Sequence, residues 1–327
     1  MNNFSNFKEF FEIENRTKYF VNVLLVLSIL SIIVYGFAVA EDKPSTLVTK
    51  ASADEKVDPF SNIDIEARSA IVWDVINNRA IYSKNPNLPL PLASLTKVMT
   101  ALTADQILGN SSKVQIKQQY LEPDGDSKLL AGDTWKSRDL SDFTLITSSN
   151  DGALALASVA ESEINDGIQS DLNISAEDNI PGFIDAMNET ASKVGLSNSK
   201  FYNEHGLDEE ADRGGAYGSA KDMAKLVQYI LKYRPSLLEA TRYKNLEFAS
   251  NDMRYDAENT NLYLDKIPDV LASKTGYTDL AGGNLVVAFD AGLNRPIIIS
   301  VLGSSQEGRF SDTLKLVDAS QKYLQEN

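Results

Sequence analysis

Pro91-Leu-Ala-Ser-Leu-Thr-Lys97 is the stretch on which the fold turns. It ends a proline-broken segment (Pro86, Pro89, Pro91) and opens an apolar helical pattern through Val98, Met99, Ala101 and Leu102. A proline break before an apolar periodic run marks a helix start, and residues three apart share a helix face. Ser94 is therefore expected near a helix N-terminus, with Lys97 one turn on and on the same face. A serine hydroxyl is a poor nucleophile until a base takes its proton. Lysine can be that base only when uncharged. Its ordinary pKa of about 10.4 must then be lowered, by burial or by a second cation.

Two more short patterns follow in order. Ser148-Ser-Asn150 ends the apolar segment Phe143-Thr-Leu-Ile146 and precedes Ala153-Leu-Ala-Leu-Ala157. Lys274-Thr-Gly276 ends an extended stretch that begins at Val270. Each pattern is weak alone, since Ser197-Asn-Ser-Lys200 also fits S-x-x-K and Ser83-Lys-Asn85 also fits S-x-N. Taken singly, Ser94 reads as a helix cap, Lys97 as a solvated side chain and Asn150 as a turn residue. Order and setting lift the set above those readings, because the decoy Ser197 sits in a polar turn with no helix behind it. The chain has one histidine, His205, and no cysteine. A thiol nucleophile is excluded, and a Ser-His-Asp triad could rest only on His205, which reads as structural. Lys274 is the candidate cation beside Lys97. Ser148 is the candidate proton relay to a leaving amine, and Asn150 can donate and accept at a substrate amide.

The triple signature is that of penicillin-binding proteins and class A β-lactamases. More narrowly, the chain resembles the low-molecular-mass penicillin-binding proteins, serine-type D-alanyl-D-alanine carboxypeptidases, over about residues 64 to 325. The resemblance rests on Ser69-Ala-Ile-Val-Trp-Asp74, Pro91 to Lys97, Ser148-Ser-Asn-Asp151, Asn203-Glu-His-Gly-Leu207, Ser219-Ala-Lys-Asp222, Lys274-Thr-Gly-Tyr-Thr278 and Leu302-Gly303. It implies a mixed α/β fold of the β-lactamase/DD-peptidase kind, with the active site between two lobes. It implies an oxyanion hole of two backbone N–H groups, those of Ser94 and Tyr277, with Gly276 letting the strand edge come close. Lys274, Thr275 and Arg309 would then hold the terminal carboxylate of the substrate. The implied partners are peptidoglycan stem peptides ending in D-Ala-D-Ala, with β-lactams as covalent inhibitors. The leading expectation is a D,D-carboxypeptidase working through a Ser94 acyl-enzyme. A D,D-endopeptidase cutting crosslinks is the alternative. A class A β-lactamase ranks below both, since no Glu-x-x-x-Asn deacylation motif is expected between Ser148 and Lys274, and so does a non-catalytic wall-binding module.

The rest of the pattern agrees with that fold. Ala70 to Val75 and Ala80 to Tyr82 flank Asn77-Asn78, a strand–turn–strand signal. Leu285 to Phe289 and Pro296 to Leu302 flank Gly292-Leu-Asn294, a second hairpin. Helical spacing recurs at Leu314, Val317 and Tyr323, and residues 92–235 read mostly helical. An antiparallel sheet built from both chain ends, flanked by helices and joined to a mostly helical lobe, is expected. Residues 161–180 are acidic and weakly periodic and read as a surface loop.

The net charge of -15 argues against a nucleic-acid partner. No Cys/His cluster suggests zinc, Asp124-Gly-Asp126 is too short for a calcium loop, and no cofactor is expected. Tyr19 to Ala40 is an uncharged, apolar run of 22 residues, preceded by Arg16 and Lys18 and followed by Glu41 and Asp42. About 20 such residues span a bilayer, and the flanking charges place residues 1–18 in the cytoplasm. The expected organisation is a cytoplasmic tail at 1–18, an anchor at 19–40, a polar linker at 41–63 and a catalytic domain at 64–327 outside the cell membrane. Ala38-Val-Ala40 leaves the alternative of a signal cleaved after Ala40, which would release the enzyme to the extracytoplasmic space. The C-terminal β-domain and amphipathic anchor often found in the family are not expected after the terminal helix.

Overall fold

Ser69 to Asp74 carries six consecutive buried residues, the mark of a strand covered on both faces. The structure is a computed structural model that describes residues 58–121, 128–172, 182–292 and 294–326. The tail at 1–18, the apolar run at 19–40, most of the linker and Asp124-Gly-Asp126 lie outside the described residues. Among the described residues, no helix is long and apolar enough to cross a membrane.

In chain order, β1 (Ser69–Asp74) and β2 (Arg79–Lys84) form the first hairpin, and β3 (Leu90–Pro91) leads into a 3-10 turn at Ala93–Leu95. Helix α1 (Thr96–Leu108) follows, then β4 (Lys113–Gln115), β5 (Thr134–Lys136), α2 (Ser137–Thr147), α3 (Asn150–Leu172) and α4 (Phe183–Val194). Next come β6 (Lys200–Phe201), β7 (Ala216–Gly218), α5 (Ala220–Tyr233) and the hairpin β8 (Asn245–Ala249) to β9 (Arg254–Glu258). The chain closes with β10 (Val270–Thr278), β11 (Gly282–Asp290), β12 (Pro296–Ser304) and α6 (Gly308–Glu326).

The main sheet has the order β10-β11-β12-β1-β2, with antiparallel neighbours throughout. The first and last strands of the domain meet at its centre, with Ser69 opposite Leu302 and Asp74 opposite Ile297. Alternation then sends side chains to opposite faces. Ala70, Val72, Leu285, Val287 and Ile299 pack with Phe310, Leu316 and Val317 of α6. Ile71, Trp73, Val286, Ala288 and Ile298 join the helical core around Met99, Leu102, Met223 and Val227. Asp312 of α6 is fully buried. Its carboxylate accepts from the N–H groups of Glu66 (3.1 Å) and Ala67 (2.9 Å) and from Ser304 Oγ (2.8 Å).

Two boundaries differ from the sequence reading. The expected loop at 161–180 begins as helix, because α3 continues to Leu172. Ala153, Ala155, Leu156, Ala157 and Ala160 form its buried stripe, and the acidic side chains at 161–163 occupy its exposed face. The remainder, 173–181, lies outside the described residues. The linker is also shorter than expected, since Phe60 is buried, stacked on Tyr82 at 5.3 Å and packed on Tyr323 at 5.8 Å.

Strand β10 forms one edge of the sheet, and this edge faces the start of α1. Three features of the helical lobe converge on it: the turn carrying Ser94, the junction between α2 and α3, and the loop at 203–208.

Candidate active site

The nucleophile turn is held in a sparsely populated shape. Ala93 has φ +48°, a left-handed value uncommon for a residue with a side chain. Its carbonyl accepts from Thr96 Oγ1 at 2.7 Å, and Leu95 N–H donates back to Leu92 O at 3.2 Å. The turn feeds Ser94 into α1, and Lys97 follows one turn later, completely buried.

Lys97 Nζ has three close oxygens. It lies 2.9 Å from Ser94 Oγ, 2.6 Å from Asn150 Oδ1 and 2.8 Å from the carbonyl of His205. Two of these are carbonyl oxygens that can only accept. A neutral amine has two N–H bonds and one lone pair. Its N–H bonds fit the two carbonyl oxygens, and its lone pair is left for the Ser94 hydroxyl. The three oxygens would serve the three N–H bonds of an ammonium equally well, and it is burial that favours the uncharged form, pushing the pKa down to about 7, with the Glu204 carboxylate pulling the other way. The sequence left two causes open, burial or a second cation with Lys274 as the candidate, and in the structure burial leads.

Lys274 sits on β10, also buried. Its Nζ donates to Ser148 Oγ at 2.8 Å and to the Thr275 carbonyl at 2.8 Å. Burial holds its pKa well below the ordinary lysine value, with repulsion from Lys97 and Arg309 adding to the effect. Ser148 ends α2 with φ +63°, and α3 begins at Asn150. The two motif residues thus stand at a sharp break between helices and reach the two lysines separately. Asn150 was expected to accept as well as donate at a substrate amide. In the structure its oxygen is engaged by Lys97 at 2.6 Å.

The expected oxyanion pair is drawn together by close packing. A Cβ added at Gly276 would lie 3.0 Å from Leu92 O and 3.1 Å from Ser94 N, so the β10 edge runs against the nucleophile turn. Arg309 Nη1 donates to Gly276 O at 2.8 Å. The described chain has no cis peptide, and across a trans peptide C=O and N–H point opposite ways. Arg309 thereby fixes the direction of the Tyr277 N–H. The resemblance implied an arginine aimed at substrate. Here Arg309 is largely buried, packed over Phe310 with 4.7 Å between guanidinium carbon and ring, and committed in part to the strand backbone. Thr275 Oγ1 is 2.5 Å from Thr260 Oγ1.

Several contributors had been given no part in the site from the sequence. The His205 carbonyl touches Lys97, whereas the His205 ring faces its own loop, accepting from Leu207 N–H at 3.1 Å. Burial, reinforced by the Lys97 charge, lowers the ring pKa to about 4, which leaves it neutral at neutral pH. Gly206, at φ +82°, packs so tightly that an added Cβ would lie 2.0 Å from Ala93 O. Asn203 Oδ1 accepts from Gly206 N at 2.7 Å, so Asn203-x-x-Gly206 was the readable turn signal. Asp208 accepts from Thr278 Oγ1 (3.0 Å) and Leu280 N–H (3.3 Å), tying this loop to the end of β10. Contrary to the sequence expectation, a literal Glu-x-x-x-Asn occurs twice between Ser148 and Lys274, as Glu247-Phe-Ala-Ser-Asn251, whose Glu247 is exposed on β8 and paired with Arg254, and as Glu161-Ser-Glu-Ile-Asn165. Eleven residues of α3 separate Glu161 from Asn150, about 16 Å of helix. Glu161 is exposed there and accepts from Phe183 N–H, so the stretch supplies no deacylating carboxylate to Ser94.

A serine and lysine on the first helix, a Ser-x-Asn break and a Lys-Thr-Gly edge strand define a penicillin-binding DD-peptidase fold. Penicillin-binding protein D2 of Listeria monocytogenes, solved with ampicillin bound, is 29% identical, with a TM-score of 0.64 over 79% of this chain and 98% of that one. The D-alanyl-D-alanine carboxypeptidase family model matches residues 52–306, and the chain belongs to that family, peptidase family S11. D-alanyl-D-alanine carboxypeptidase DacF of Bacillus subtilis is 29% identical over 84% of this chain and 67% of its own. A D-alanyl-D-alanine endopeptidase of Escherichia coli is 27% identical over 84% of this chain and 82% of its own. The chain spans about two thirds or less of the length of the curated carboxypeptidases it matches.

Proposed function

We propose that this protein is a serine-type D,D-carboxypeptidase that removes the terminal D-alanine from peptidoglycan stem peptides. Neutral Lys97 takes the proton from Ser94 Oγ as that oxygen attacks the carbonyl of the penultimate residue. The oxyanion is received by the N–H groups of Ser94 and Tyr277. Ser148, whose hydroxyl is held by Lys274, relays the proton that Lys97 took to the departing amine of D-alanine, which leaves Lys97 neutral again. Water then cleaves the Ser94 ester, with Lys97 again as base. Thr275 and Arg309 flank the place for the terminal carboxylate. The observation that carries this reading is the contact of Lys97 Nζ with Ser94 Oγ at 2.9 Å in a fully buried position, where burial favours the free amine. Labelled penicillin should modify the purified protein at Ser94, and a pentapeptide ending in D-Ala-D-Ala should release free D-alanine. Labelling mapped to another serine would end the assignment.

The endopeptidase reading is favoured by one observation, the match over 82% of the length of the Escherichia coli endopeptidase. Digestion of pentapeptide against crosslinked dimer separates the two. Cleavage confined to the dimer would replace carboxypeptidase by endopeptidase with the same site.

Residues 19–40 are proposed to anchor the enzyme in the cell membrane with the catalytic domain outside. The 22-residue uncharged run and the Arg16/Lys18 flank support this. The protein should sediment with membranes and resist salt extraction. A mature N-terminus at Glu41 would show a cleaved signal instead.

A further inference from the structure

Asn284 of β11 stands opposite Gly276 in the sheet and is fully buried. Its side chain is nonetheless directed out of the strand ladder. Nδ2 donates to Pro91 O and to Leu92 O, each at 3.0 Å, and Oδ1 accepts from Gly303 N–H at 2.8 Å. Both amide hydrogens go to carbonyls and the oxygen goes to an N–H, so the orientation of the amide group is fixed by its partners. Pro91 and Leu92 are the two residues before Ala93, whose strained φ sets the direction of Ser94. Leu92 O is also the atom that a Cβ at Gly276 would approach at 3.0 Å. One side chain therefore bolts the entrance of the nucleophile turn to the strand that runs beside β10. Leu92 has a second tether, its N–H to Ala216 O at 2.9 Å, but this leads to the small sheet of β7 and not to β10 or β11.

We propose that Asn284 is a positioning residue that sets the separation between the Ser94 and Tyr277 amides, and with it the fit of the oxyanion hole. The proposal rests on the acyl-enzyme reading given above. Asn284 touches neither substrate nor the reacting atoms. It acts through the two carbonyls it holds, while Arg309 fixes the other partner by holding Gly276 O. Tight spacing matters because a misplacement of about 1 Å in such a site costs about a hundredfold in rate.

The test compares a carbonyl ester with its thiono analogue on the full-length protein carrying Asn284→Ala. A thionoester presents sulfur where the hole expects oxygen and draws little help from it. If Asn284 sets the hole, acylation by the oxygen ester should fall about 10- to 100-fold while the thionoester falls far less, so the ratio of the two rates collapses. Asn284→Ser keeps one hydroxyl donor and should restore part of that ratio. It is also the variant to read where Asn284→Ala does not fold. Equal losses for both esters, or a ratio unchanged in both variants, would overturn the proposal and return Asn284 to a purely structural role. Failure of the underlying reading looks different, because wild-type protein itself would then not be labelled by penicillin at Ser94.

Discussion

Lys97 is the residue on which the chemistry depends, and its surroundings make a signed prediction. Its proton must be absent for it to accept one from Ser94, and burial brings its pKa to about 7. The rate of acylation by labelled penicillin should therefore rise as pH rises through about 7. Lys274 is likewise held well below the ordinary lysine value and interacts with Lys97, so the profile belongs to the pair. A rate flat from pH 5 to 9 would remove Lys97 as the base. Ser94→Ala should abolish labelling with the fold intact. Arg309 carries a second prediction. Because Nη1 holds Gly276 O, Arg309→Ala should slow a neutral ester as well as a peptide with a free carboxylate. The peptide should lose more, by about ten- to a hundredfold in kcat/KM, since a charged hydrogen bond to substrate goes too. Equal losses would leave Arg309 only its role on the strand.

At the scale of elements, the 203–208 loop behaves as a clasp. It gives Lys97 a carbonyl, receives Thr100 Oγ1 on Glu204 O at 2.6 Å, and holds the end of β10 through Asp208. Gly206→Ala should break it. The new methyl would meet Ala93 O at 2.0 Å and Thr96 Oγ1 at 2.5 Å, at a φ that disfavours any side chain. A loss of about 1–3 kcal/mol is expected from strain and overpacking. Acylation should suffer beyond what the melting shift accounts for, because the clash falls on the nucleophile turn. A variant with normal labelling and a lowered melting temperature would show that the clasp serves stability alone. This loop also marks where sequence reading stopped. Ser94, Lys97, Ser148 and Lys274 were legible because side-chain chemistry, order and helix or strand setting are all written locally. The His205 carbonyl was not, since a backbone oxygen has no letter and its role depends on a contact 108 residues away in sequence. Asn284 was obscured in the same way, and so was the hold of Arg309 on Gly276 O, because both act on backbone atoms of distant segments. The α3 extension was missed for a different reason, an acidic exposed face that resembles a loop when its buried alanines are read separately.

For the whole molecule, the central fact is that β1 and β12 are neighbours although they stand at opposite ends of the domain. The hairpin signals at 70–82 and 285–302 foretold a shared sheet, but not the pin that closes it. Asp312 supplies the pin, holding Glu66 N–H, Ala67 N–H and Ser304 Oγ from a fully buried position. Asp312→Ala would leave three donors without that acceptor. Each such buried donor costs about 1–3 kcal/mol, and partial access of water to residue 66 lowers the total to about 3–5 kcal/mol. In a domain of this size each kcal/mol moves the melting temperature by about 2–4 °C, so a fall on the order of 10 °C is expected in calorimetry. The side chain lies on the α6 face of the sheet, across from the helical lobe that carries Ser94 and Lys97. Penicillin labelling at 25 °C should therefore persist in the variant. Since both faces of one sheet feed the two cores, unfolding should remain a single transition. An unchanged melting temperature would mean that the chain ends are not coupled through Asp312, and a melt split in two would mean that the α6 face and the helical lobe are stabilised independently.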